Sequence, residues 1–179
     1  MPFGEFIPTG FRWFTELMNI PLGDFNRGRL NAPSFVVHGQ RVAPNICYED
    51  LFGEELAARF VPEEHAPTIL ANLSNIGWFG ETIAVGQHLE ISRMRSLELQ
   101  RPMVRATNTG ATAVIDHRGV VVKSLPPFQR GTLDAQVEGR NGLTPFATWA
   151  GTLGLWPLLG IGVAVLLGAG FGRRAASGP

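Results

Sequence analysis

One cysteine, Cys47, stands in the run Arg41-Val42-Ala43-Pro44-Asn45-Ile46-Cys47-Tyr48-Glu49-Asp50-Leu51-Phe52. An apolar stretch leads into it, and acidic, helix-compatible residues follow. That order presents a nucleophile at the end of a strand, where a sharp turn into a helix exposes the side chain. A thiolate is intrinsically nucleophilic, and neighbouring groups can lower its pKa. The inert reading is a small buried apolar residue. Histidines at 38, 65, 88 and 117 do not combine with a single cysteine into a metal-ligand spacing, so neither a metal nor another cofactor is expected. Lys123 is the only lysine; arginine carries the rest of the positive charge.

The elements that must position Cys47 follow from pattern. Residues 34–38 and 41–46 read as strands around a Gly39-Gln40 turn, and 50–60 as a helix with acids first and Arg59 last. Residues 68–73 form an apolar strand. The loop Ser74-Asn75-Ile76-Gly77-Trp78-Phe79-Gly80 carries two large aromatics. It packs on the core or faces a substrate. A long helix over 81–101 puts Ile91, Met94 and Leu97 on one face and pairs Arg95 with Glu98. Strands at 103–107, 111–116, 120–123 and 131–137 follow, which together predict a layered α/β domain with a mixed sheet.

The chain has 179 residues, 45% hydrophobic and 17% charged, with a formal net charge of +0. That excludes a disordered chain and gives no basic excess for nucleic acid. Its first residues lack a basic segment followed by an apolar core, so no signal peptide is expected there. From Asn141 to Gly172 there is no charged residue, and Arg173-Arg174 follow at once. The apolar stretch 153–172 predicts a transmembrane helix, with Trp149 and Trp156 as interfacial anchors and the arginine end cytoplasmic. Its glycines suit close packing against other helices.

In this order the motifs resemble the C-terminal part of the apolipoprotein N-acyltransferases, a membrane family of the nitrilase superfamily. They are Pro2-Phe3-Gly4-Glu5, Ile46-Cys47-Tyr48-Glu49, Ser74-Asn75, Gly77-Trp78-Phe79-Gly80, Gln87-His88, Arg93-Met94-Arg95-Ser96-Leu97-Glu98, Arg101-Pro102, Arg105-Ala106-Thr107-Asn108, Gly110 and Gly142-Leu143-Thr144-Pro145-Phe146. The resemblance implies a partial α-β-β-α sandwich over 1–140, a linker over 141–152, a membrane helix over 153–172 and a cytoplasmic tail over 173–179. It places the catalytic domain on the periplasmic side of a bacterial inner membrane. Cys47 would take an acyl chain from a phospholipid as a thioester. The chain would then pass to the diacylglyceryl-cysteine amine of a lipoprotein. Glu5 would assist the catalytic triad, and the Tyr48 N–H would donate to the oxyanion. Glu49 would support the site or cap the turn, and Trp78 and Phe79 would border the acyl-chain site.

The family's triad glutamate and lysine precede the Pro2-to-Glu5 motif, and Lys123 matches neither. The chain therefore resembles a fragment, or the product of a start assigned too late. As written it is expected to be inactive or nearly so. Two rival readings are a soluble nitrilase-type amidase and a membrane-anchored, non-catalytic domain.

Overall fold

The structure is a computed structural model and describes Arg29 and residues 32–176. One mixed sheet organises them, with strands in the order β1 (Phe35–Val37), β2 (Gln40–Ile46), β3 (Ile69–Ser74), β4 (Met103–Thr107), β5 (Ala113–Ile115) and β6 (Val121–Ser124). Strands β2, β3 and β4 run parallel; β1 and the β5–β6 hairpin are antiparallel to their neighbours. Strand β1 stops pairing at Val42. Just beyond, Arg59 donates to the Pro44 carbonyl at 2.5 Å and to the Ala32 carbonyl at 3.0 Å.

Alternation along the strands sends one set of side chains under the helices. Ala43, Leu70, Met103 and Ile115 lie on one rung across four strands, each almost wholly buried. They pack with Leu56, Ala57, Phe60, Leu99, Ala147 and Ala150. These come from α1 (Gly53–Ala57) and the turn after it, the end of α2 (Ala84–Leu99), and α3 (Pro145–Leu153). The next rung on the same face is Asn45, Asn72 and Arg105, equally buried but polar. On the opposite face Ile46 and Leu73, register partners, are exposed.

Four elements differ from the sequence reading. The helix expected over 50–60 is three short pieces: a 3-10 turn at Cys47–Leu51, α1, and a second 3-10 turn at Ala58–Phe60. Phe52, at φ −95° and ψ 83°, interrupts the helical path. Residues 131–137 form no strand; they are exposed but for the half-buried Leu133 and Val137 and lack the packing a strand needs. The stretch 141–152, expected as a linker, holds most of α3. Thr144 caps it by accepting the Ala147 N–H at 3.0 Å, and Pro145 takes the first turn, where its missing N–H costs nothing.

The apolar stretch 153–172 is not one helix with a single start. Gly154 adopts φ +57° and ends α3, and α4 begins afresh at Trp156-Pro157 and runs to Ala176. The two helices meet at 81°. Among the described residues no single helix is long and apolar enough to cross a membrane. The bent pair meets that test of length and composition together.

Candidate active site

The parallel strands bring their C-terminal ends together, where open α/β sheets place their ligand sites. Cys47 follows β2 directly, and the loop 75–80 follows β3. Cys47 has φ +51°, in the left-handed region. For a non-glycine residue that costs about 1–2 kcal/mol, so the surroundings must over-determine it.

They do so from below. The Cys47 carbonyl accepts from Asn72 Nδ2 at 2.9 Å and from His88 Nε2 at 3.2 Å. Asn72 Nδ2 also donates to Asn45 Oδ1 at 2.5 Å, and His88 Nε2 lies 3.1 Å from Asp50 Oδ1. Arg105 Nη2 reaches His88 Nδ1 at 2.9 Å, while its Nη1 reaches Ser92 Oγ at 2.5 Å and Asn72 Oδ1 at 3.1 Å. Ser92 donates to Asp50 Oδ2 at 2.5 Å, and Arg105 stands 3.6 Å from that same oxygen. Asn45, Asp50, Asn72, His88, Ser92 and Arg105 are each no more than 2% exposed. Burial pulls the Arg105 guanidinium below its ordinary pKa, and the Asp50 carboxylate opposes that pull. Such a network holds to the extent that its members satisfy one another: here one cation faces one carboxylate, while Asn45 Nδ2 is buried without a hydrogen-bond partner.

Above the backbone the surroundings are apolar. Cys47 packs with Ile76 and Val85, with Tyr48 and Phe79 beside them. The Tyr48 ring stacks on His88 at 4.3 Å between centroids and meets the Phe79 ring edge-on at 5.8 Å. Burial pushes the Cys47 thiol above its ordinary pKa; the Tyr48 and Asn75 backbone pulls the other way without reversing it. The thiol donates to the Asn75 carbonyl at 3.9 Å. Asn108 fastens the loop after β3, donating to Asn75 Oδ1 at 2.7 Å and accepting the Ile76 N–H at 3.1 Å. Gly110 lets Ile76 come close: a Cβ there would sit 2.1 Å from Ile76 Cδ1.

The structure brings Cys47, Tyr48 and Phe79 together. Glu49 Oε2 accepts the Ile46 N–H at 2.6 Å, so its carboxylate caps the turn. Trp78 lies in the short turn Gly77–Phe79. Glu5 lies outside the described residues. Lys123 is on β6, four strands from β2, where its ammonium donates to the Asp134 carbonyl. Among the described residues no group of three or more His, Cys, Asp or Glu is arranged to hold a metal ion.

The sequence reading missed the network under the elbow. It grouped Ile91, Met94 and Leu97 on one face of α2, and Met94 and Leu97 of that face are exposed. The buried face carries Val85, His88, Ser92, Ser96 and Leu99. The available signal was polar residues at four-residue spacing (His88, Ser92, Ser96) together with Asn45, Asn72 and Arg105 inside otherwise apolar strands.

Residues 11–144 match the family model described as carbon-nitrogen hydrolase. Curated relatives include "Apolipoprotein N-acyltransferase" of Verminephrobacter eiseniae, 60% identical over 162 residues, which are 87% of this chain and 30% of that protein. The protein of the same name in Ralstonia nicotianae is 60% identical over 176 residues, 98% of this chain and 33% of that one. That of Photobacterium profundum is 42% identical over 160 residues, 88% and 30% of the two chains. The chain thus spans about a third of the length of these relatives. Among solved structures, a carbon-nitrogen hydrolase from Helicobacter pylori aligns at TM-score 0.50 and 14% identity, over 59% of this chain and 43% of the other. The NitFhit protein of C. elegans aligns at TM-score 0.50 and 18% identity, over 78% and 33%. Both are similar in fold.

Proposed function

Starting from a chain that belongs to the carbon-nitrogen hydrolase family, we propose that Cys47 is the nucleophile of an acyl transfer from a phospholipid to the N-terminal diacylglyceryl-cysteine of lipoproteins. The observation that carries this is the elbow: the thiol sits on a left-handed residue at the mouth of the parallel strands, with its sulfur 3.9 Å from the Asn75 carbonyl oxygen. The names of the relatives supply N-acylation and an apolipoprotein acceptor; the phospholipid donor is part of the proposal.

In the first half-reaction Cys47 Sγ attacks the ester carbonyl carbon of the phospholipid. The tetrahedral oxyanion accepts the Tyr48 N–H, and collapse breaks the C–O bond. The glycerol oxygen leaves with a proton as lysophospholipid, and a thioester remains on Cys47. In the second half the lipoprotein amine attacks that thioester, forms the amide and returns the thiol. Two easier steps replace one difficult step, which gives ping-pong kinetics. On this reading the base that takes the thiol proton, and the lysine beside it, belong to sequence N-terminal to Glu5 in a chain of the relatives' length. Glu5 is assigned the role of assisting that pair, on the resemblance alone. Phe79, and by resemblance Trp78, are assigned to the acyl-chain site.

The same reading sets the bent pair α3–α4 in a bacterial inner membrane. Trp156, Leu159, Ile161 and Leu166 are each more than half exposed on α4, and Arg173-Arg174 follow on its cytoplasmic side. A soluble amidase has no use for such a surface.

The test is an acyl-enzyme assay. Phospholipid with a labelled acyl chain is supplied to membranes holding this chain, and to membranes holding it extended upstream to the relatives' length. A hydroxylamine-sensitive label is expected on the extended form alone, and it is lost in Cys47→Ser. Label on the shorter chain overturns the need for upstream groups. Label on neither overturns acyl transfer.

A further inference from the structure

We infer that His88 is a positioning residue for the acylation step: it holds the Cys47 carbonyl so that the Tyr48 N–H is aimed at the oxyanion. The inference rests on the acyl-transfer reading above. Its starting point is the planarity of the peptide between Cys47 and Tyr48. In a trans peptide the C=O and N–H point in opposite directions, so whatever fixes one fixes the other. Here the carbonyl points down into the network, held by Asn72 Nδ2 at 2.9 Å and His88 Nε2 at 3.2 Å. The N–H of Tyr48, on the other side of that plane, is left facing away from the network.

The tautomer of His88 follows from its neighbours. An arginine has only donors, so Arg105 Nη2, 2.9 Å from Nδ1, makes that nitrogen an acceptor. The ring hydrogen is then on Nε2, where Cys47 O and Asp50 Oδ1 share it. Ser92 and Arg105 hold Asp50 in turn, and the Tyr48 ring lies flat against the imidazole. His88 thus couples a buried charge pair to the one peptide whose orientation the oxyanion needs, although its ring touches neither sulfur nor substrate. Asn72 does the same from β3.

Two reactions of Cys47 separate positioning from mere support. Alkylation by iodoacetamide passes through no oxyanion, so it reports thiolate and access. Acylation by phospholipid needs the oxyanion donor. In membranes holding the chain at the relatives' full length, both rates are read by mass on the Cys47 peptide for the native protein, His88→Phe and His88→Gln. His88→Phe keeps the aromatic face for Tyr48 and loses the donor. Its acylation is expected to fall about 100-fold, as for a lost oxyanion donor, with alkylation within about 3-fold of native. His88→Gln offers an amide N–H where Nε2 was and is expected to recover acylation to within about 10-fold of native, the size of a displaced rather than absent donor. If His88→Phe melts below the assay temperature, Asn72→Leu unpins the same carbonyl from the other side and carries the same expectation.

Equal loss of both rates overturns the inference, because His88 then only supports the fold. So does native acylation in His88→Phe. A native chain that is alkylated but never acylated overturns the acyl-transfer reading, and the inference with it.

Discussion

Two arginines, four residues apart and both buried to within 2% of complete, mark opposite ends of the same sheet face. Arg101, just before β4, bonds to backbone. Its guanidinium donates to the carbonyls of Pro67 at 2.6 Å, Leu99 at 3.2 Å, Gln100 at 3.1 Å and Gly142 at 2.5 Å, and it lies 5.1 Å over the Phe60 ring. Burial, with Arg41 and Arg140 near, pushes its pKa down to about 10. Arg105, within β4, bonds mostly to side chains: Asn72, Ser92, His88 and, more distantly, Asp50. Between them lies the apolar rung of Ala43, Leu70 and Met103. Arg101 therefore staples chain segments, the turn after α2 and the approach to α3 among them. Arg105 organises polar side chains beneath a peptide that must point one way. Burial alone does not tell a structural arginine from one serving a site; the chemistry of its acceptors does.

That contrast predicts the largest effect at Arg105. Arg105→Met leaves Asp50 as an unpaired buried carboxylate, which typically costs about 3–5 kcal/mol. For a chain of this size the thermal midpoint is expected to fall by roughly 10 °C. Adding Asp50→Asn should recover part of the stability while acylation stays low, since the tautomer of His88 is no longer set. If the double variant recovers acylation with stability, Arg105 is a staple like Arg101 and the contrast is broken.

Arg101→Met comes next. Four carbonyls lose a charged donor, and the expected cost is about 2–4 kcal/mol, below the sum of orphaned groups because two of them belong to the exposed Gln100 and Gly142, where water reaches. Acylation per folded molecule should stay within about 3-fold of native, read by normalising the label to folded protein. A larger loss of acylation would mean that strain at the far end reaches the elbow.

How far the contrast was legible beforehand depends on the residue. Cys47 and its elbow stood out because an apolar run ended on the sole cysteine, and the strand at 68–73 was plain in the pattern. Arg105 and His88 were visible as motif members without a role. Periodicity treats a polar residue as facing water, and a buried polar face on α2 inverts that rule. Only the register Asn45, Asn72, Arg105 reveals that three polar positions from separate strands form one rung. The misreading at 141–152 had a local remedy: Thr144-Pro145 is a cap followed by a first-turn proline. The bend had one too: Gly154 followed by Pro157 sets a helix-ending glycine before a first-turn proline, inside a run whose lack of charge read as one span.

A smaller effect concerns the sulfur itself. The network lies beneath the Cys47 backbone, so it does little to ionise the thiol, and burial keeps the pKa above the ordinary value. A thiol with a raised pKa has less thiolate at any pH below it. Alkylation of Cys47 in this chain is thus expected to be slower than that of free cysteine at pH 8, and to go on climbing at pH values where free cysteine has levelled off. Extension to the relatives' length should move the profile to lower pH. A profile already low in the shorter chain would show that the elbow end activates the sulfur as well as aiming the peptide.

The smallest effect serves as the outer reference, on the solvent side of the helix that carries His88. Arg93 Nη1 meets both Glu90 oxygens at 2.8 Å, with the side chains 40% and 61% exposed. Water screens such a pair, and holding two long side chains together costs entropy, so Glu90→Ala should cost no more than about 0.5 kcal/mol. Arg93 would keep its bond from Nε to the Gly119 carbonyl at 2.7 Å, which ties α2 to the β5–β6 hairpin without the carboxylate. Melting and acylation of Glu90→Ala should both match native within error. If that variant lost as much stability as Arg105→Met, charge pairing as such would explain the cost at Arg105. The case for a buried network aimed at one peptide would then lose its control.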